Sequence, residues 1–228
     1  MTTVPLAGPI EGSALSLESR SLEPGAELRV ADTSGDSLFY VAAGDGTIAL
    51  GDGTQSLAAG GAALVLAGEE AAVRAGATGL ELVHVAVGPD ADRHAPLGSR
   101  DLVVPPEATD TERATGARSF RILLGPHNGS TRATLFAGFI PPGKAPWHYH
   151  LYDEIVFVPE GPARLHVGET TEELAARSAF RLRPREVHIV ENTSSVRELT
   201  VIGIFTPAGS PSAAYLASDV VAASPFVG

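Results

Sequence analysis

The sequence contains no cysteine. This excludes disulfide bonds, thiolate metal sites, iron–sulfur clusters and cysteine nucleophiles. Basic residues are also scarce: 16 Lys and Arg stand against 27 Asp and Glu, which gives a formal net charge of −11. A surface of this sign repels phosphate groups, so we expect neither nucleic acid nor a membrane as a partner. No long apolar run occurs, and residues Met1–Pro5 carry no basic side chain, so we expect a cytoplasmic protein.

Glycine and proline, in contrast, are abundant, with 25 and 17 residues in a chain of 228. They interrupt the chain too often for long helices and favour short strands joined by turns. Hydrophobic residues make up 44% of the chain, which is typical of a globular protein. We therefore predict an all-β fold, with the tail Pro211–Ala223 as the best candidate for a short helix. The predicted strands are Ser37–Ala43, Thr47–Leu50, Ala62–Leu66, Leu80–Val87, Ala133–Ile140, Ile155–Val158, Arg164–Val167 and Leu199–Phe205.

The two halves of the sequence repeat each other weakly, at an offset of about 118 residues. The order of turn, strand, turn and strand is kept although identical residues are few. Asp36–Val41 corresponds to Glu154–Pro159, and Ala62–Leu66 corresponds to Ala179–Arg183. We predict two related domains, residues 1–110 and 111–228, joined within the Pro-rich and charged stretch 93–116.

The chemistry concentrates in the second half. His148 and His150 alternate along a predicted strand, so both imidazoles point to the same side, about 6–7 Å apart. Glu154 follows after a turn and begins the next apolar strand, and His188 begins another. Three imidazoles and one carboxylate suit manganese, iron, nickel, copper or zinc, and an octahedral ion would keep two positions open.

These residues stand in two motifs that resemble those of the cupin family. The first is Gly143-x4-His148-x-His150-x3-Glu154-x6-Gly161, one residue shorter before its first His than the usual family pattern. The second, Arg183-Pro184-Arg185-Glu186-Val187-His188-x3-Asn192, has arginines where the family usually has Pro and Gly.

The resemblance implies two tandem jelly-roll β-barrels, a bicupin. The C-terminal barrel would bind one divalent transition metal through His148, His150, Glu154 and His188, with iron or manganese favoured and nickel or zinc as alternatives. In the first half the residues at the ligand positions are Val30, Asp32, Asp36 and Ala71. A set without imidazoles makes a poor transition-metal site, so we expect the N-terminal barrel to be a degenerate cupin without metal.

Other polar residues near the motifs have less specific interpretations. Tyr152, in the turn before Glu154, is a candidate catalytic hydroxyl at the mouth of the pocket. Arg181 and Arg183 share one strand face and would bind a substrate carboxylate if they faced inward. Because burial usually follows the apolar residues, Phe180 and Leu182 are the more natural inward set, which would leave both arginines at the surface.

The most natural function is a metal-dependent enzyme of dioxygenase type acting on a small organic substrate. A second possibility uses the ion only as a Lewis acid, for hydrolase, lyase or isomerase chemistry. A third is a non-catalytic cupin that binds a small ligand, because one fold supports many functions. The resemblance also makes a homodimer plausible.

Overall fold

The computed structural model describes residues 1–7, 13–114 and 116–217, and nearly all of its regular structure is β. One short 3₁₀ turn, Pro126–Asn128, is the exception within these ranges. The strands are β1 (Thr2–Ala7), β2 (Leu15–Leu22), β3 (Glu27–Ala31), β4 (Asp36–Leu50), β5 (Gly53–Ala58), β6 (Ala62–Val65), β7 (Glu70–Val87), β8 (Val103–Val104), β9 (Glu112–Arg113), β10 (Ser119–Leu124), β11 (Thr134–Ile140), β12 (Gly143–Lys144), β13 (His148–His150), β14 (Asp153–Val158), β15 (Ala163–Val167), β16 (Thr170–Leu174), β17 (Ser178–Leu182), β18 (His188–Asn192), β19 (Leu199–Thr206) and β20 (Ala214–Leu216).

The strands form three sheets. The first has the order β1-β2-β7-β4-β6-β8, with β3 added to β7 and β5 added to β4. The second has the order β17-β14-β19-β11-β10-β9. The third has the order β16-β15-β18-β13-β20, with β12 added to β18. Within the described residues, no helix has the length and hydropathy needed to cross a lipid bilayer.

The chain divides into two compact units, each with an apolar core. The first unit consists of residues 1–110, 122–135 and 204–209, and the second of residues 111–121, 136–203 and 210–228. The core of the first unit includes Phe39, Val41 and Ile48 of β4, and that of the second includes Val156 and Val158 of β14. Burial alternates along β3, as expected where one face of a strand meets a core. The predicted division between residues 110 and 111 stays a prediction.

The two units share the same strand pairing, which agrees with the weak sequence repeat. In the first unit β3 pairs with β7, and in the second the corresponding β13 pairs with β18. The registers also correspond: Val30 lies opposite Ala71, and His148 lies opposite His188. The opposed pair of His148 and His188 therefore has a structural counterpart in Val30 and Ala71.

Two local predictions need correction. Ser37–Ala43 and Thr47–Leu50, predicted as separate strands, belong to the single strand β4, and Gly44-Asp45-Gly46 between them forms an irregularity in that strand. Gly44 has φ +80°, and an added Cβ would lie 2.1 Å from the carbonyl oxygen of Gly79, so a side chain there would clash with the neighbouring strand.

The second correction concerns the predicted helical tail. Ala214–Leu216 forms the strand β20, because its backbone pairs with β13, where Tyr149 lies opposite Tyr215 and the two rings stack. Backbone pairing with a neighbouring strand has overridden the weak helical pattern. Residues 218–223 of the predicted helix lie outside the described residues.

Candidate metal centre

The four predicted ligands come together in the second unit. His148 and His150 project from alternate positions of β13, and His188 begins the neighbouring strand β18. Glu154 lies on β14, a strand of another sheet. The His148 and His188 rings have centroids 4.3 Å apart, and those of His150 and His188 are 5.1 Å apart. All four side chains are buried, so two sheets bring these donors into one enclosed site.

The three imidazoles are oriented in the same way. His148 Nδ1 lies 3.0 Å from the carbonyl oxygen of Pro146, His150 Nδ1 lies 2.9 Å from that of Tyr152, and His188 Nδ1 lies 2.8 Å from that of Glu186. A carbonyl oxygen can only accept, so each Nδ1 carries the proton and each neutral ring keeps its lone pair on Nε2. This second contact is what normally orients a metal-binding histidine.

Glu154 completes the set on the side of His150. Its Oε2 lies 2.9 Å from His150 Nε2, but the two groups lack hydrogen-bond alignment, and this buried Nε2 has no hydrogen-bond partner among the described residues. A buried ring nitrogen without a partner is costly in a folded protein. A cation between the carboxylate and the imidazoles would satisfy it, so the residues fit a divalent metal.

Burial decides the protonation of two of the imidazoles. It lowers the pKa of His148 to about 2, with further contributions from His188 and Arg118. It also lowers the pKa of His188 to about 4. For His150, burial acts in the same direction, but the Glu154 carboxylate outweighs it and raises the pKa. His148 and His188 are therefore neutral near pH 7, the form in which an imidazole binds a metal.

A fifth polar group, the guanidinium of Arg118, also reaches this site. Its Nη1 lies 3.2 Å from His148 Nε2 and donates toward the lone pair of that nitrogen. Among the described residues, no group of three histidine or acidic side chains is arranged so that it could hold a metal ion as it stands. The donor atoms of the four candidate ligands do not converge on one point. Arg118 was not identified from the sequence, because it lies 30 residues before His148 in an unremarkable segment.

The site opens into a cavity of about 80 Å³ in the second unit. Its wall includes the four candidate ligands, Arg118 and Tyr152, and is otherwise mostly apolar, with Phe120, Phe136, Ile140, Val156, Leu182, Val190 and Val201 among its residues. Gly203 leaves room for the carboxylate: an added Cβ would lie 2.6 Å from Glu154 Oε1 and 2.2 Å from Phe136 Cε1. A glycine is needed at this position because those side chains pack directly over it.

The remaining candidates have distinct environments. Tyr152 is buried, stacks on the His150 ring at 4.1 Å and lines the cavity, while burial raises the pKa of its phenol.

Arg181 Nε donates to Asp153 Oδ1 at 2.6 Å, so Arg181 is mostly buried in an ion pair and is not a surface charge. Arg183 is exposed, and neither arginine lines the cavity, whereas Leu182 does. The assignment of Tyr152 as catalytic and of the four ligands to a metal stays a prediction.

Comparison with known proteins identifies the fold. Residues 137–205 match a family model described as the cupin domain. No curated protein sequence matches the chain. Among solved structures, a single-residue variant of oxalate decarboxylase from Bacillus subtilis superposes with a TM-score of 0.75 at 15% sequence identity, over 94% of this chain and 74% of that chain.

The formate complex of oxalate decarboxylase from Lactobacillus farciminis gives a TM-score of 0.72 at 14% identity, over 92% of this chain and 81% of that chain. A structure from work on the Mn(II) centres of the Bacillus subtilis enzyme gives 0.75 at 15% identity, over 94% and 74% of the two chains. These likenesses confirm the predicted all-β fold of cupin type. The matched segment contains both ligand motifs, so residues 137–205 are similar to a cupin domain, and the chain shares the fold of the matched structures.

Proposed function

We propose that this protein is a metal-dependent cupin enzyme that acts on a small organic substrate. His148, His150, Glu154 and His188 would hold one divalent transition metal in the second unit. Iron and manganese are favoured, because three imidazoles with one carboxylate combine borderline and hard donors. The Mn(II) centres named for one oxalate decarboxylase of the same fold support manganese in particular.

The observation that carries this proposal is the common orientation of the three imidazoles. Each Nδ1 is held by a backbone carbonyl oxygen two residues away, so Nε2 is the nitrogen of each ring that can bind a metal. His166 in the same unit differs, because both of its ring nitrogens have side-chain partners, Thr171 and Glu191. The Nε2 of His150 lies beside the Glu154 carboxylate without an aligned hydrogen bond, which supports the same interpretation.

A bound divalent metal would act as a Lewis acid that polarises a coordinated substrate or, for a redox-active ion, allows reaction with dioxygen. The protein's own residues supply the surroundings. The apolar wall excludes water and strengthens the electrostatic interactions inside the cavity. The Tyr152 phenol, kept protonated by burial, lies beside His150 and can donate a hydrogen bond to a substrate oxygen.

The reaction type has two candidates. A dioxygenase-type reaction uses the positions that an octahedral ion would keep open beside the four protein ligands. A reaction without dioxygen, of hydrolase, lyase or isomerase type, is favoured by the protonated Tyr152 phenol at the cavity wall, since such reactions need a proton donor. Oxygen consumption measured with the iron-loaded and manganese-loaded protein over a panel of small organic acids separates the two.

The metal assignment is tested by metal content and by equilibrium titration with Mn(II), Fe(II), Ni(II) and Zn(II). We expect one equivalent in the natural protein and loss of binding in His148→Ala and His188→Ala. His166→Gln is the matched control: His166 is buried in the same unit but does not line the cavity, so metal binding should persist. Absence of binding, with no metal-dependent change in melting temperature, would leave the non-catalytic ligand-binding function in first place.

A further inference from the structure

Three polar side chains of the first unit form a hydrogen-bonded series that the candidate metal centre does not use. The neighbouring strands β2, β7 and β4 carry Glu18, His84 and Ser37 respectively. His84 lies directly opposite Glu18 on one side, and on the other it lies opposite Phe39, two residues along β4 from Ser37. Because residues two positions apart share a face of a strand, the three polar groups point to the same side of the sheet.

The two hydrogen bonds of His84 have a defined direction. Nδ1 lies 2.8 Å from Glu18 Oε1, and Nε2 lies 3.1 Å from Ser37 Oγ. Burial alone would raise the pKa of Glu18, but the hydrogen bond with His84 and the charge of Arg20 outweigh it and lower the pKa, so Glu18 is ionised near pH 7. A carboxylate can only accept, so Nδ1 carries the proton of the neutral ring and Nε2 accepts from the Ser37 hydroxyl.

The surroundings of His84 keep the ring in this orientation and in its neutral form. Phe39 stacks on the imidazole, with ring centroids 4.6 Å apart and planes inclined by 12°. Burial lowers the pKa of His84, although the hydrogen bond with Glu18 acts in the opposite direction, so the neutral ring can take up a proton near pH 7. A hydroxyl, an imidazole and a carboxylate linked in this order form the arrangement that activates a serine nucleophile.

The exposure of the three groups limits which molecules can react. The side chains of Glu18 and His84 are 28% and 13% exposed, whereas Ser37 is only 3% exposed. The series therefore runs from a partly exposed carboxylate to a nearly enclosed hydroxyl. Only a small acyl group could be accommodated at Ser37.

We propose that Ser37, His84 and Glu18 form a metal-independent catalytic centre that hydrolyses esters of short carboxylic acids. Ser37 is the nucleophile, His84 is the general base, and Glu18 positions His84. Ser37 Oγ forms a bond to the ester carbonyl carbon while His84 Nε2 takes the hydroxyl proton. The bond from that carbon to the alcohol oxygen breaks, and His84 returns the proton to this oxygen. Water then attacks the acyl carbon, one of its protons passes through His84 to Ser37 Oγ, and a carboxylic acid is released.

The second unit provides a matched control with the same three types of group. His166 Nε2 lies 2.7 Å from Glu191 Oε2, and His166 Nδ1 lies 3.0 Å from Thr171 Oγ1. Thr171 is exposed, so bulk water solvates its hydroxyl, and its methyl group hinders attack on a carbonyl carbon. We therefore expect no nucleophilic reaction at Thr171.

The first experiment measures hydrolysis of 4-nitrophenyl acetate by the full chain in the presence of EDTA. We expect saturable hydrolysis, and hydrolysis of 4-nitrophenyl octanoate that is slower by about tenfold or more, because the hydroxyl is enclosed. Ser37→Ala and His84→Gln should each lower kcat/KM on the order of 100-fold or more. Glu18→Gln should lower kcat about tenfold with little change in KM, since it acts through His84. Thr171→Ala and His166→Gln should leave kcat/KM within a factor of about two.

A second measurement does not depend on turnover. The natural chain has no cysteine, so Ser37→Cys introduces a single thiol at the position of the nucleophile. A neighbouring imidazole favours the reactive thiolate, so iodoacetamide should alkylate Ser37→Cys about tenfold or more faster than the double variant Ser37→Cys, His84→Gln. Circular dichroism checks that each variant is folded.

Three results would overturn the proposal: no ester hydrolysis by the natural protein, hydrolysis that persists in Ser37→Ala, or equal alkylation of the two thiol variants. Equal rates with the acetate and octanoate esters would overturn the limit to short acyl groups. None of these results bears on the metal assignment in the second unit, because every measurement is made without metal.

Discussion

The two units of this chain use the same strand pairing for different purposes. In the second unit the directly opposed pair on β13 and β18 is His148 and His188. In the first unit the corresponding pair on β3 and β7 is Val30 and Ala71, both part of the apolar core. The same pair of positions therefore supports a candidate metal centre in one unit and core packing in the other.

The two carboxylates at the ligand positions of the first unit already bind other groups of the protein. Asp32 Oδ1 accepts hydrogen bonds from the amides of Ser34 and Gly35, and these bonds lower its pKa. Asp36 Oδ1 accepts from the amide of Ala67 at 2.9 Å, and its Oδ2 lies 3.9 Å from Arg132 Nε. Carboxylates that hold a turn and an ion pair are not open donors. We therefore propose that metal binds in the second unit and not at these positions of the first.

The largest expected effect is on metal affinity, from Glu154→Gln compared with its counterpart Asp36→Asn. The first change removes the anionic ligand while keeping its size, and we expect Mn(II) affinity to fall on the order of 100-fold or more. The second should leave Mn(II) affinity unchanged, because Asp36 is bound to Ala67 and Arg132. Titration with Mn(II), followed by electron paramagnetic resonance of the free ion, measures both. A loss of affinity in Asp36→Asn would contradict the comparison.

A graft in the opposite direction tests whether imidazoles alone are sufficient. The double variant Val30→His and Ala71→His places histidines at the opposed pair of the first unit. We expect the variant to bind no second equivalent of metal, because the carboxylates near this pair already bind other groups of the protein. The free energy of unfolding should fall by about 2–4 kcal/mol, since two polar rings enter an apolar core. Urea unfolding and metal analysis check the two expectations, and one extra equivalent of metal would show that the first unit needs only imidazoles.

Gly203→Ala tests the packing behind the carboxylate. The added Cβ would lie 2.6 Å from Glu154 Oε1, so the carboxylate must move or the strand must shift. We expect about 1–3 kcal/mol of destabilisation in urea unfolding, together with weaker Mn(II) binding. Gly138→Ala is a milder control on β11, because its Cβ would meet Val201 Cγ2 at 3.0 Å and no candidate ligand. Equal Mn(II) affinity in Gly203→Ala and the natural protein would refute the role of Gly203 in positioning Glu154.

The last comparison concerns pH in the metal-free protein. Burial lowers the pKa of His188 to about 4 and that of His148 to about 2 in the second unit, and it lowers the pKa of His84 in the first, where Glu18 opposes the shift. Below the ordinary value of about 6.5 the unfolded chain binds protons that the folded chain does not. Their stabilising contribution is therefore complete above that pH and falls as the pH drops, by up to about 1.4 kcal/mol per pH unit for each group.

Urea unfolding of the metal-free protein at pH 7 and pH 5 measures this effect. His188→Gln in the second unit and His84→Gln in the first should each reduce the dependence of the free energy of unfolding on pH. His150 acts in the opposite direction, because its raised pKa gives a contribution that is lost as the pH rises. An unchanged pH dependence in both variants would contradict the role of burial.

Much of the candidate site could be predicted from the sequence because its signals are local. The alternation of His148 and His150 requires only the two-residue period of a strand, and Glu154 follows within one turn. The repeat between the halves was detectable for the same reason: turns and short strands recur in the same order. The C-terminal tail was wrongly predicted in its described part, because Ala214–Leu216 becomes a strand only through pairing with β13.

By itself, then, the sequence determined the all-β class, the candidate ligand set and the lack of imidazoles at the corresponding positions Val30 and Ala71, since all three follow from residue type and short-range spacing. The tertiary structure alone decided that Arg118 reaches His148, that Gly203 accommodates Glu154 and that Arg181 pairs with Asp153. Each of these contacts joins residues at least 28 positions apart. Such contacts depend on which strands are neighbours and in what register, and no local pattern of residues encodes that.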